Sequence, residues 1–136
     1  MHNFPKREHI VSTRLIGQLF GSGSTSMAAY PLRAVFRMVE RSQTDVPVQV
    51  LISVPKKRFK HAVDRNRVKR QVREAYRHNK QPLVDAVPAD KSLLLCFVWV
   101  GDCLAPSSIV SNRIEKLLTR VAEKLWNIYH AFFHGS

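Results

Sequence analysis

Hydrophobic positions along this chain change period several times, and each change predicts an element. After Ser12, Leu15, Ile16, Leu19 and Phe20 recur at helical spacing until Gly21 and Gly23 interrupt them, so a short helix is predicted over 13–20 with Ser12 as its cap. The run from Gly21 to Ser26 has loop composition. From Met27 the period falls to two. Tyr30, Leu32, Ala34, Phe36 and Met38 alternate with Arg33, Val35, Arg37 and Val39, which predicts a strand over 28–40. Pro31 has no amide to give a ladder, so the start of that strand is an edge or a bulge, or a separate strand if it breaks there. Polar residues and Pro47 predict a hairpin loop over 41–47, and Val48 to Val54 predict another strand closed by Pro55.

Helical spacing returns in the middle of the chain. Val68, Val72, Ala75 and Tyr76 make one apolar stripe of a helix over 64–79, with Asp64 as the expected cap. Pro82 and Pro88 bound the next connection. Leu93 to Val100 is apolar without interruption and of strand length, as expected for a central strand buried on both faces and able to run parallel to a neighbour. Beyond Gly101 and Pro106, a long amphipathic helix is predicted over 107–132. Its core stripe is Ile114, Leu117, Leu118, Val121, Leu125, Ile128 and Phe132, and Ser107 or Ser108 is its expected cap. The order is α-β-β-(β)-α-β-α without internal repeats: a single α+β domain, a mixed β-sheet with helices packed on it. Residues 1–10 read as an extended lead-in and 133–136 as a frayed tail.

Charge changes the picture at the central helix. Residues 56–80 hold eleven of the chain's 22 Lys and Arg and only two of its ten acids. Arg65, Lys69, Arg73 and Arg77 recur every four residues as a stripe off the apolar face. Such a row repels itself, and a polyanion lying along it relieves the repulsion while releasing its own counterions. A net charge of +12 over 136 residues, with pI near 10.4, agrees with a life against phosphate and argues against a small neutral substrate. A membrane surface is the competing polyanion. No apolar run approaches the roughly 18 to 20 residues that span a bilayer, and the basic helix has no Trp or Phe anchor on its apolar side. The first residues show no secretory pattern, and two cysteines, Cys96 and Cys103, offer neither a disulfide framework nor a zinc site. A reducing cytoplasm is the simple inference.

Hydrolysis by the protein alone would need carboxylates gathered around metals, or an acid and a base held together. Glu8, Glu40, Asp45, Asp64, Glu74, Asp85, Asp90, Asp102, Glu115 and Glu123 are instead scattered singly, and Glu74 is expected to pair with Arg70. His130 and His134 have metal spacing but no third ligand nearby in sequence. No catalytic residue and no metal site are assigned.

The motif itself is specific. Ile52-Ser-Val-Pro-Lys-Lys57, followed by Arg65, Asn66, Arg67, Lys69, Arg70, Arg73, Glu74, Ala75, Tyr76 and Arg77, resembles the signature of the bacterial ribonuclease P protein subunit. Phe4-Pro-Lys6 and Ile16-Gly-Gln-Leu-Phe20 are similar to that family's first segments, although His9-Ile10, Ile16 and Lys60-His61 depart from its pattern. The resemblance implies a βαβ crossover of left-handed sense carrying the basic helix, where general topology statistics favour the right-handed one. It also implies the function: a subunit that joins a catalytic RNA and helps remove the 5′ leader of precursor tRNA, with Mg²⁺ held mainly by the RNA. A DNA-binding helix would want a second helix just upstream, where this chain reads as strand.

Two surfaces would divide the work. Lys56, Lys57, Arg58, Lys60, Arg65, Asn66, Arg67, Lys69, Arg70, Arg73 and Arg77 are the candidates for gripping the catalytic RNA, since Arg forks suit phosphate. Asn66 could contact the RNA or fix the first helical turn. Phe20, Tyr30, Arg33, Phe36 and Arg37 are the candidates for a leader groove between the first helix and the sheet, with Phe20 and Phe36 serving either as stacking platforms or as core. No membrane and no small-molecule substrate is expected.

Overall fold

The computed structural model describes residues 4–10, 12–41 and 46–129. A 3-10 turn, Lys6–Glu8, interrupts the extended lead-in before α1 (Thr13–Leu19). Ser12 caps α1 as expected, its hydroxyl accepting from the Leu15 amide at 3.4 Å. The alternating segment does break at Pro31, giving β1 (Thr25–Ala29) and β2 (Leu32–Glu40) as an antiparallel pair joined through a cis Tyr30–Pro31 peptide. There follow β3 (Val48–Ser53), α2 (Ala62–Asn79), α3 (Gln81–Ala86), β4 (Lys91–Trp99) and α4 (Ser107–Tyr129).

The sheet order is β1-β2-β4-β3. β4, the uninterrupted apolar run, is central: antiparallel to β2, parallel to β3, and buried at Leu93, Leu94, Leu95, Cys96 and Phe97. Its insertion corrects the expected hairpin over 41–47. β2 and β3 are separated by β4, the strand that is buried almost without interruption on both faces and so fills the middle. Residues 42–45, Asp45 among them, lie outside the described residues.

Register divides the side chains between two faces. Leu32, Ala34 and Phe36 point with Val50, Leu95, Phe97 and Trp99 into the larger core, which α2, α3 and α4 cover. Val35, Arg37 and Val39 point the other way with Leu51, Leu94 and Cys96, where α1 seats Leu15 and Leu19 beside Ile10. The lead-in guards the β3 edge: His9 bridges Val50, and Phe4 stacks on His9 and packs against Tyr76 of α2. A half-buried ion pair at 2.9 Å between Glu8 and Lys80 ties it down.

Three further expectations change. α2 starts at Ala62 with His61 as its cap, so Asp64 lies in the first turn, where its charge faces the positive end of the helix dipole. α3 was not expected; Pro82 sits in its first turn, where a missing amide leaves no bond unmade. In α4, Pro106 takes the cap position, its carbonyl accepting from Val110, and Ser107 is the first helical residue. Ile114, Leu117, Leu118, Val121 and Leu125 are core as predicted, whereas Ile128 is half exposed, and Phe132, His130 and His134 lie outside the described residues.

Candidate nucleic-acid interface

The basic helix is held by its apolar stripe. Val68, Val72, Ala75 and Tyr76 are buried against the sheet, and burial together with the Glu8 carboxylate keeps the Tyr76 phenol protonated by raising its pKa. With that side fixed, Asn66, Arg67, Arg70 and Arg73 are left exposed on the outer side, and Lys69 is half-buried beside them. The Asn66 side chain makes no hydrogen bond to the described residues, so it does not fix the first turn.

The approach from β3 is built by two other arginines. Phe59 is buried against Trp99, with ring centroids 6.2 Å apart, and so anchors the segment between β3 and α2. Arg65 reaches back to donate to the carbonyls of Phe59 and Lys60 at 2.7 and 3.0 Å, and Arg58 pairs with Asp102 at 2.9 Å. Their guanidiniums shape the segment while Lys56, Lys57 and Lys60 stand exposed on it. Arg77 closes the row by pairing with Glu74, whose carboxyl is held below its ordinary range by Arg77 first and His78 second. The expected Glu74–Arg70 pair does not form. Arg70 is thereby left on the outer face.

The expected leader groove is not formed as drawn. Phe36 is core, 3% exposed, on the α4 side of the sheet, while Phe20 stands 53% exposed at the end of α1 on the opposite side. Strand parity is the reason: Phe36 alternates with Arg33 and Arg37, so it cannot share a face with them. Tyr30 is exposed in the β1–β2 turn, with its carbonyl accepting from Arg113 of α4 at 3.0 Å. Arg37 bonds the Gln18 carbonyl at 2.9 Å and so braces the end of α1. What the α1 side does offer is a partly open floor of Val35, Leu51 and Val98, walled by Ile16 and flanked by exposed Arg33. The signal for it lay in the other parity of β2. The edge of this floor, at Ser53 and Val98, is also where β3 runs on into Lys56 and Lys57.

The ribonuclease P family model matches residues 4–122. The chain belongs to the ribonuclease P protein family. A ribonuclease P protein component from Porphyromonas gingivalis is 39% identical over 118 residues, covering 86% of this chain and 85% of that protein. One from Chlorobaculum tepidum is 35% identical over 118 residues, covering 82% and 76%. The structure of the ribonuclease P protein of Staphylococcus aureus is similar at a TM-score of 0.57 and 18% identity, over 86% of this chain and 94% of that one. A mutant of that protein with defective mRNA degradation activity is similar at a TM-score of 0.62 and 20% identity, over 85% and 88%. These two likenesses concern the fold, a single α+β domain with a mixed four-stranded sheet. Membership makes the chain a protein component of ribonuclease P, a tRNA-processing endoribonuclease. Both surfaces described above lie within the matched residues of this ribonuclease P protein.

Four of its acids sit in separate ion pairs, Glu8 with Lys80, Glu40 with Lys91, Glu74 with Arg77 and His78, and Asp102 with Arg58. Among the described residues no three of His, Cys, Asp and Glu gather as a metal would require. Cys96 is buried beneath α1 and its thiol is pushed up to about 12, so it packs as a small hydrophobe, while Cys103 is exposed. No described helix is long and apolar enough to cross a membrane.

Proposed function

We propose that this chain is the positioning subunit of the ribonucleoprotein: it binds the catalytic RNA and the 5′ leader of precursor tRNA and so promotes Mg²⁺-dependent removal of the leader. The exposed row of Asn66, Arg67, Arg70 and Arg73 carries the reading, because the opposite face of the same helix is wholly buried and the row can serve only what lies outside. Lys56, Lys57 and Lys60 extend it along the approach. Arg forks there grip phosphate oxygens in pairs, and Asn66 is free to meet a 2′-hydroxyl or a base edge. Leader RNA lies across the Val35–Leu51–Val98 floor between Phe20 and Arg33, held by stacking and charge. Mg²⁺ belongs mainly to the RNA, since the protein's scattered acids do not suit it. The setting is a reducing cytoplasm, with no membrane and no small molecule as partner.

The test mixes the chain with a cognate catalytic RNA and precursor tRNA at low Mg²⁺ and looks for mature 5′ ends. Protein freed of nucleic acid is expected to be inert alone. Replacing Arg67, Arg70 and Arg73 by Ala should weaken the catalytic RNA and remove roughly one unit of log–log salt slope per lost contact. Specific cleavage by the protein alone would overturn the positioning role. An unchanged slope in a folded variant would reduce the row to a solvated face.

A further inference from the structure

α4 carries a second row of cations that the reading above leaves unused. Arg113, Lys116, Arg120 and Lys124 are spaced by three, four and four residues, which puts them on one flank of the helix. Lys116, Arg120 and Lys124 are exposed, and the two lysines have no partner among the described residues. The arginines are braced. Arg113 Nε donates to the Tyr30 carbonyl at 3.0 Å and Arg120 Nη1 to the Ala28 carbonyl at 2.8 Å. Ala28 lies in the edge strand β1 and Tyr30 in the turn that follows it, so these bonds hold both arginines against the edge of the sheet and leave each guanidinium further N–H donors.

Beside the row is a broad, open recess of about 430 Å³ lined by Met27, Arg120, Glu123, Lys124, Asn127 and Ile128. Ile128 is 49% exposed there, an apolar side chain set among cations. This flank looks away from α2, which meets α4 on its other side, where Gln71 bonds Ala105 and Ser107. The row is therefore no continuation of the α2 row. The last part of the recess also lies beyond residue 122, where the match to the family ends.

We propose that the α4–β1 flank is a second RNA contact, which takes one single-stranded segment. Its phosphates lie along Arg113, Lys116, Arg120 and Lys124, and one unstacked base enters the recess between Met27 and Ile128 against the Asn127 amide. Two apolar side chains, Met27 and Ile128, set beside the Arg120 and Lys124 cations suit a base turned out of a strand, whereas the bases of an A-form duplex are paired and their major groove is too narrow to enter. The inference rests on the RNA-binding reading above.

The full chain is titrated across a range of KCl with two probes: a labelled single-stranded oligoribonucleotide of mixed sequence and the cognate catalytic RNA. Three variants accompany it, Lys116→Gln/Lys124→Gln, Ile128→Asp and Arg67→Gln/Arg70→Gln, each checked for an unchanged melting temperature. The lysine variant should lose about 1.4 units of log–log slope for the oligonucleotide, at about 0.7 per contact, and on the order of tenfold in affinity near 0.1 M salt. Ile128→Asp should weaken the same probe by placing an acid in the recess. Unchanged oligonucleotide binding by the lysine variant, with the Arg67/Arg70 variant still weakening the catalytic RNA, overturns this inference alone. An effect of the lysines without one of Ile128→Asp overturns the seated base. No effect from any variant overturns RNA binding by these surfaces altogether.

Discussion

Phe36 is buried on one side of the sheet and Phe20 is exposed on the other, and one experiment separates core from stacking platform for both. Phe36 sits in the row Thr25–Phe36–Leu95–Val50, 3% exposed, with Leu125 of α4 over it. Truncation to Ala removes a ring from a packed layer and should destabilise the fold by about 3 to 5 kcal/mol. The unfolding entropy is about 2.1 cal/mol/K per residue, or about 0.29 kcal/mol/K for 136 residues, so the melting temperature should fall by roughly 10 to 17 °C. All RNA-dependent activity should decline together as the folded fraction falls.

Phe20 is 53% exposed, and Phe20→Ala should cost no more than about 0.5 kcal/mol, less than about 2 °C. If the ring stacks on leader RNA, affinity for precursor tRNA should nonetheless drop by about 5- to 150-fold, which corresponds to about 1 to 3 kcal/mol, with mature tRNA nearly unaffected. Paired thermal melts and binding titrations read both. A Phe36→Ala protein that melts within a few degrees of the parent but loses precursor tRNA selectively would refute the parity argument. So would a Phe20→Ala protein that melts far lower.

Other outcomes follow from single contacts. Arg65→Ala should lose about 1 to 2 kcal/mol in denaturant melts because Arg65 holds the Phe59 and Lys60 carbonyls, whereas Arg67→Ala should change stability by less than about 0.5 kcal/mol. Gly101→Ala would bring a Cβ within 2.7 Å of the Pro31 side chain, and the forced shift should destabilise by about 1 to 3 kcal/mol; an unchanged denaturation midpoint would show that the turn yields freely. Glu74 is held below its ordinary 4.5 by Arg77, so its contacts add stability above that value and lose it as pH falls through the lowered pKa. The melting temperature of the parent should therefore exceed that of Glu74→Gln near pH 7 and converge on it in acid below the lowered pKa, and a gap that persisted there would contradict the assignment.

The parts of the fold that sequence showed well are those with one dominant pattern. β4 reads as central because eight consecutive apolar residues, Leu93 to Val100, leave no side for water, and the structure buries it between β2 and β3. What failed was adjacency. Nothing local to residues 41–47 says that a strand fifty residues later will enter between β2 and β3, since that order is settled by which strand can fill the middle of the sheet. α3 was missed for a related reason. Pro82 and Pro88 read as breakers, yet a proline in a first turn begins a helix as readily as it ends one.

The same distinction explains why one candidate surface was legible and the other was not. On α2 the inward stripe of Val68, Val72 and Tyr76 is legible and places the cations outside it, but of the stripe Arg65, Lys69, Arg73 and Arg77 only Arg73 is exposed, and Arg67 and Arg70 complete the outer row. On β2 both alternating sets are partly apolar because helices cover both faces of the sheet. Phe36, Ala34 and Leu32 meet α4, and Val35 and Val39 meet the α1 side. Alternation then tells which residues share a face but not which helix that face meets, and so leaves Phe36 open between stacking platform and core until the fold buries it. The deciding information is the packing of α1, seven residues too short to cover its face of the sheet, which leaves Val35, Leu51 and Val98 half-buried. A surface defined by what a helix fails to cover is marked in the strand beneath it only by parity, and the assembled fold is what shows that side left open.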